Sequence, residues 1–256
     1  MSLIREFQAD ALSVAIYDTE AAMGQAAAAD AAREILRLQE TKEEINIIFA
    51  AAVSQNELLD ALYEYKEIDW GKINAFHMDE YVGVAEGDSR SLSGFLCSHF
   101  LDQVSVKNRF FLNGMCEDVE AECDRYGQLL EQYPCDLVFL GIGDNGHLAF
   151  NDPHVADFRD SQNVKTVAID DISKQQQVNA GNFPDMESVP SLAFTVTIPA
   201  LLRSKKMICV VPTAYKAKAA YDAVRGPVSE TCPASVLRGY SNAKLYLDRE
   251  SAKYLL

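Results

Sequence analysis

The chain reads as an α/β protein with a doubly wound, mostly parallel sheet carrying helices on both faces. Short apolar runs alternate along the chain with longer stretches of helical periodicity. Several of those runs are apolar throughout, as strands buried on both faces must be. No internal repeat, low-complexity tract or linker rich in Pro, Gly or Ser interrupts the alternation, so residues 1–256 are expected to form a single domain.

The elements follow in order. Residues 20–40 are alanine-rich with apolar side chains at helical spacing, and Thr19 is placed to cap the start. Residues 45–50 form a β-branched strand, and residues 54–65 a helix. A strand is expected over 73–78, a helix over 91–101 and an amphipathic helix over 117–132. Residues 136–140 are a near-continuous apolar strand that runs into glycines. Strands at 164–169, 191–197 and 207–211, a helix at 214–224 and a last strand at 244–247 complete the set. The polar, irregular stretch 170–190 has the character of a lid.

Of the 256 residues, 38 are acidic and 23 basic, for a formal net charge of −15, and 48% are hydrophobic. Such a chain is globular, neither disordered nor fibrous. Its acidity excludes the basic stripe that nucleic acid requires. An anionic ligand would need a locally positive pocket. No run approaches the roughly 18 apolar residues of a membrane span. The six cysteines show no C-x-x-C pair, and the charged start Met1-Ser2-Leu3-Ile4-Arg5-Glu6 lacks the apolar core of a secretory leader. Reduced thiols in a cytoplasmic protein are expected.

In a sheet of this kind ligands bind beyond the carboxyl ends of the strands. Three such loops carry unusual chemistry. Gly141-Ile142-Gly143-Asp144-Asn145-Gly146-His147 matches G-x-G-x-x-G, but Pro153 arrives too soon for the long helix of a dinucleotide site. A divalent-metal site from Asp144, His147 and Asp152 lacks a second His or Cys. Asp79 and Glu80 end an apolar strand, where carboxylates are costly unless used, and only one of two adjacent side chains faces a cleft. A half-buried carboxylate there is a natural general base, while the other caps the next helix or pairs with a lysine. His77 reads as packing. Lys216 sits in the first turn of a helix, where the dipole favours an anion.

Taken together, Met78-Asp79-Glu80-Tyr81-Val82-Gly83 and Gly141 through Pro153 resemble the glucosamine-6-phosphate deaminase (isomerase) family. That family lies within a broader group that includes the 6-phosphogluconolactonases, and the resemblance spans about residues 45–247. Ala149-Phe150-Asn151 after the histidine is the deaminase form. The resemblance implies a Rossmann-like sheet of the deaminase/isomerase type. It also implies an aminosugar phosphate that is opened, isomerised from aldose to ketose and stripped of ammonia, without metal or organic cofactor. By the same resemblance Asp79 is the base at C2 and C1, His147 moves the ring-oxygen proton, and Asn145 orients that histidine. Ser54, Gln55, Glu80, Gly143, Gly146 and Lys216 are expected around the substrate, with Lys216 matching the family's phosphate lysine.

Three departures are visible. Asp152 stands where the family has Glu, one methylene shorter, so that its contact with His147 is expected to be lost or bridged by water. The phosphate loop is Ala50-Ala51-Ala52-Val53-Ser54-Gln55-Asn56 rather than glycine- and threonine-rich. An expected lid arginine falls at Gln177, with Lys174 nearby. The alternatives are a 6-phosphogluconolactonase-type hydrolase using His147 to activate water, a non-catalytic sugar-phosphate sensor and, more remotely, a nicotinamide dehydrogenase. Partners are restricted to a small sugar phosphate, with a homo-oligomer left open and neither nucleic acid nor membrane involved.

Overall fold

A computed structural model describes residues 2–256. It opens with β1 (Leu3–Ala9) and β2 (Leu12–Tyr17), an antiparallel hairpin turning at Asp10, whose φ is 53°. Sequence periodicity did not announce this hairpin, because β1 is an edge strand whose Arg5, Glu6 and Gln8 break up the apolar pattern. Then come α1 (Glu20–Gln39), β3 (Ile45–Phe49), a 3-10 turn at Val53–Gln55, α2 (Asn56–Tyr63), β4 (Ile73–His77), β5 (Asp79–Tyr81), α3 (Leu92–His99) and β6 (Asn108–Phe110). Next are α4 (Val119–Gln132), β7 (Leu137–Leu140), β8 (Val164–Ala168), α5 (Asp171–Asn179), β9 (Leu192–Val196), α6 (Ile198–Leu202), β10 (Lys206–Val211), α7 (Ala217–Arg225) and β11 (Ala243–Asp248). The Thr19 hydroxyl does accept from the Ala22 amide at 3.1 Å, capping α1.

Eight strands form the main sheet in the order β1-β2-β11-β10-β7-β3-β4-β6, all parallel except β1. Each central strand feeds both faces. Leu137, Phe139, Ile208 and Val210 pack under α1, α2 and α3. Val138, Leu140, Cys209 and Val211 pack under α4 and α7. Each such fully buried side chain contributes roughly 1.5–3 kcal/mol, which is why these strands are apolar at every position. α1 and α2 cross closely because Gly24 has no Cβ; one there would lie 2.5 Å from Glu57 Cβ.

The strands at 164–168 and 192–196 do not join this sheet, contrary to expectation. With the three-residue β5 they form a separate antiparallel sheet, β5-β9-β8. β5 is too short for a periodic signal, and Lys165 and Thr166 leave β8 only half-buried. The topology nonetheless places a cleft where theory puts one. From β3 the chain moves to β4 on one side and later returns through β7 on the other, so the winding reverses between β3 and β7.

Candidate active site

The loops after β3, β4, β7 and β10 converge on that reversal. A narrow pocket of about 80 Å³ is lined there by Asp79, Gly143, His147, Ala149, Gln177 and Lys216, among others. It opens into a wider cavity of about 490 Å³ between Ser54, Lys216, Glu20 and one side of α5. The expected lid is thus partly helical, and α5 turns Gln176, Gln177 and Asn179 toward the cleft. Two non-glycine residues with positive φ lie at this site, Ala149 at 51° and Thr213 at 76°. Strain of this kind persists only where the surroundings over-determine the backbone.

Asp79 is the half-buried carboxylate of the narrow pocket. It begins β5, whose pairing opposite Thr195 of β9 fixes its backbone. Burial raises its pKa to about 8, and the adjacent Glu80 carboxylate adds to the shift. Glu80 itself, expected near the substrate, points away from the cleft and is only 1% exposed. Its carboxylate accepts the amides of Tyr81, Leu92 and Ser93, each at 2.9 Å, and the Ser93 hydroxyl at 2.7 Å. It anchors the start of α3, the helix-capping alternative for this acidic pair.

His147 is held from behind. Its Nδ1 lies 2.8 Å from Asp152 Oδ1, so the contact expected to be lost or bridged by water is direct. The reason is the loop path. Ala149 in the left-handed region and the Leu148–Asn151 bridge turn the chain back toward the imidazole. Asn151 pins that turn to the small sheet by donating to the Val196 carbonyl at 2.9 Å. Burial pushes the Asp152 pKa up, but His147, Asn145 and Ser173 outweigh it and bring it down to about 2. With a carboxylate accepting at Nδ1, the neutral imidazole carries its proton there and keeps Nε2 for a ligand. Asn145 works mainly through the carboxylates, donating to Asp152 at 2.9 Å and to Asp170 at 3.0 Å, while its Oδ1 accepts the His147 amide at 3.1 Å.

Gly143 lies flat against the ring, where a Cβ would come within 2.1 Å of His147 Cε1. Gly146, by contrast, is a turn residue at φ 87° packed on Cys232, and it does not line the pocket. Gln55 is likewise withdrawn. It is 0% exposed, its side chain donates to the Leu140 carbonyl at 3.3 Å, and its amide is used by the 3-10 turn to Ala52 at 2.9 Å. Only Ser54 of that pair reaches the cavity. Lys216 lines both compartments and pairs with Asp144 Oδ1 at 2.5 Å. His77 is fully buried and accepts the Leu112 amide at 2.8 Å, with its pKa lowered by burial to about 3. It packs and stays neutral.

The family model described as glucosamine-6-phosphate isomerases/6-phosphogluconolactonase matches residues 18–246. The chain belongs to this family. Among the family's curated members, the glucosamine-6-phosphate deaminase of Listeria monocytogenes serotype 4a (strain HCC23) is 34% identical over 224 residues, or 88% of this chain and 94% of that one. The glucosamine-6-phosphate deaminase of Streptococcus sanguinis (strain SK36) is 36% identical over 206 residues, covering 80% and 85%. A solved structure of a monomeric glucosamine-6-phosphate deaminase superimposes with a TM-score of 0.86 at 30% identity, over 94% of this chain and 98% of that one. The 6-phosphogluconolactonase of Thermotoga maritima shares the fold at a TM-score of 0.74 but only 17% identity, over 92% and 98%. No helix of the described residues is long and apolar enough to cross a membrane.

Within this family fold, sequence reading missed Ser173. Its hydroxyl donates to Asp152 Oδ1 at 2.6 Å and lies 3.1 Å from His147 Nδ1. It comes from α5, 26 residues beyond the histidine, and no motif spacing signals it. Asp170, which caps α5 through the Ser173 amide at 2.6 Å and takes the Asn145 donor, was missed for the same reason.

Proposed function

We propose that this protein is an aminosugar-phosphate isomerase/deaminase, converting glucosamine 6-phosphate, or its galactosamine counterpart, to a ketose phosphate and ammonia. The observation that carries the reading is the pairing, across one narrow pocket, of a half-buried carboxylate with raised pKa and an imidazole backed by a carboxylate. His147 moves the ring-oxygen proton and opens the sugar to its aldehyde. Ionised Asp79 takes the C2 proton while O1 takes a proton from water, giving an enolamine, and Asp79 then returns its proton to C1, leaving C2 as an iminium. Water adds at C2, ammonia leaves, and the ketose remains. Asp152, Asn145 and Ser173 hold the imidazole; Ser54 and Lys216 lie where the far end of the sugar phosphate would extend. Gly143, having no Cβ, leaves the room in which the His147 imidazole lies against the loop. The free state of all six cysteines supports a reducing, cytoplasmic setting.

The test is ammonia release coupled to ketose-phosphate formation across 6-phosphorylated and free hexosamines. Asp79→Asn is expected to abolish both. Full activity in that variant removes Asp79 from its role. Acid release from 6-phosphogluconolactone without any ammonia from hexosamines would establish the lactonase alternative instead.

A further inference from the structure

The wide half of the cleft is poor in positive charge. Lys216 is the one lysine or arginine among the described residues lining either compartment, whereas Glu20 and Asp144 both face the wide cavity. The rest of its polar wall is uncharged, with Ser54, Gln177 and Asn182. Lys216 has only 12% of its side chain exposed and stands directly before α7, so an anionic end of a ligand has no better seat. That seat is already taken. Asp144 Oδ1 lies 2.5 Å from Lys216 Nζ, and the Asp144 amide donates to Gln176 of α5 at 3.1 Å, which holds the loop in place.

A carboxylate offers a cation the same two-oxygen edge that a phosphate offers. We propose that Asp144 is a specificity-determining residue: it occupies Lys216 as an internal anion, so that a phosphate-bearing substrate must displace it and gains little net affinity from its phosphate. The inference rests on the aminosugar isomerase/deaminase reading of the cleft. A displaced Asp144 would remain beside the incoming dianion, and Glu20 adds a second negative group to the same cavity, so the cost of displacement is electrostatic as well as competitive. Burial lowers the Lys216 pKa while Asp144 opposes that shift, which fits a cation maintained by its internal partner. The cleft is thereby set to discriminate weakly between phosphorylated and unphosphorylated amino sugars.

Asp144→Asn keeps the shape and removes the charge. A hydrogen bond to a charged group is worth roughly ten- to a hundredfold in affinity, and that is the gain expected. Inorganic phosphate should bind the variant more tightly by that factor in a calorimetric titration. KM for glucosamine 6-phosphate should fall in parallel, with the gain in KM rather than kcat and with no gain on free glucosamine. Unchanged or weaker phosphate binding overturns the inference, as does an equal gain on free glucosamine. Adding Lys216→Met must erase the gain; a gain that survives places the phosphate elsewhere and likewise overturns it. If Asp144→Asn does not fold, Asp144→Ser is read by the same criteria. The phosphate titration requires no turnover. Tighter phosphate binding by the variant, with no ammonia release by the wild-type protein from any hexosamine, would sink the deaminase reading and leave the role of Asp144 standing.

Discussion

Asp79→Asn is expected to stabilise the protein while abolishing turnover. The Asp79 carboxyl titrates at about 8 in the native state because of burial and, secondarily, Glu80, against 3.8 for a free aspartate. The unfolded chain therefore releases this proton from about pH 4, and the native protein only near pH 8. Because the native state holds the proton more tightly, ionisation works against folding. The penalty is absent below about pH 4, grows as pH rises, and is complete above about pH 8. About 4 pH units at about 1.36 kcal/mol each set a ceiling of about 5 kcal/mol. A half-buried group at the mouth of a cleft is partly screened, so roughly 1–3 kcal/mol is the realistic range. Asparagine fills the same space without the charge, and for a chain of this size each kcal/mol is worth about 2–4 °C in Tm. Thermal unfolding of both proteins at pH 5, 7 and 9, with ammonia release followed in parallel, tests this. The variant should gain progressively with pH and most at pH 9, the trade-off expected where activity requires a carboxylate whose ionisation is disfavoured by burial. A Tm difference that does not change with pH, or a variant less stable at pH 9, refutes the burial account.

Three further expectations rest on the same geometry. If ionised Asp79 is the base, kcat/KM should rise about tenfold per pH unit below neutrality and level off near pH 8; a flat profile down to pH 6 contradicts it. If His147 moves the ring-oxygen proton, Gly143→Ala, which drives a methyl group into its imidazole, should cost about 100-fold or more in ammonia release, the effect of displacing a reacting group by an ångström. Wild-type activity in that variant would mean His147 does not need its present position. Glu80→Ala strips the acceptor from three backbone amides and should lower unfolding stability by roughly 3 kcal/mol in urea titrations, with the activity limb moving to lower pH as repulsion on Asp79 is relieved; an unchanged midpoint would dismiss the clamp.

The legible part of the site was the part encoded by neighbours in sequence. Asp79 ends an apolar strand, and Gly143 and His147 share one glycine-rich turn, so chain position alone brought them to the carboxyl ends of β4 and β7. What adjacency could not tell was direction. Asp79 and Glu80 differ by one residue, yet one faces the cleft and the other disappears beneath α3, because β5 pairs with β9 in the register Asp79 to Thr195. Gln55 and Gly146 lie in the right loops but are consumed by the backbone of those loops. The His147–Asp152 contact depends on the left-handed turn at Ala149, a conformation that an alanine does not advertise.

By itself the sequence determined the alternation of buried strands and helices, and hence a parallel sheet with its cleft at the strand ends, because period and apolarity are local properties of the chain. It also determined the chemical identity of the groups that meet there. The tertiary structure alone decided that β8 and β9 leave the main sheet to pair with three residues of β5. It decided, too, that Ser173 and Asp170 reach back to brace the histidine network, and that Lys216 already has Asp144 as its anion. These are contacts between residues far apart in the chain, set by packing and pairing register, and no local pattern carries them.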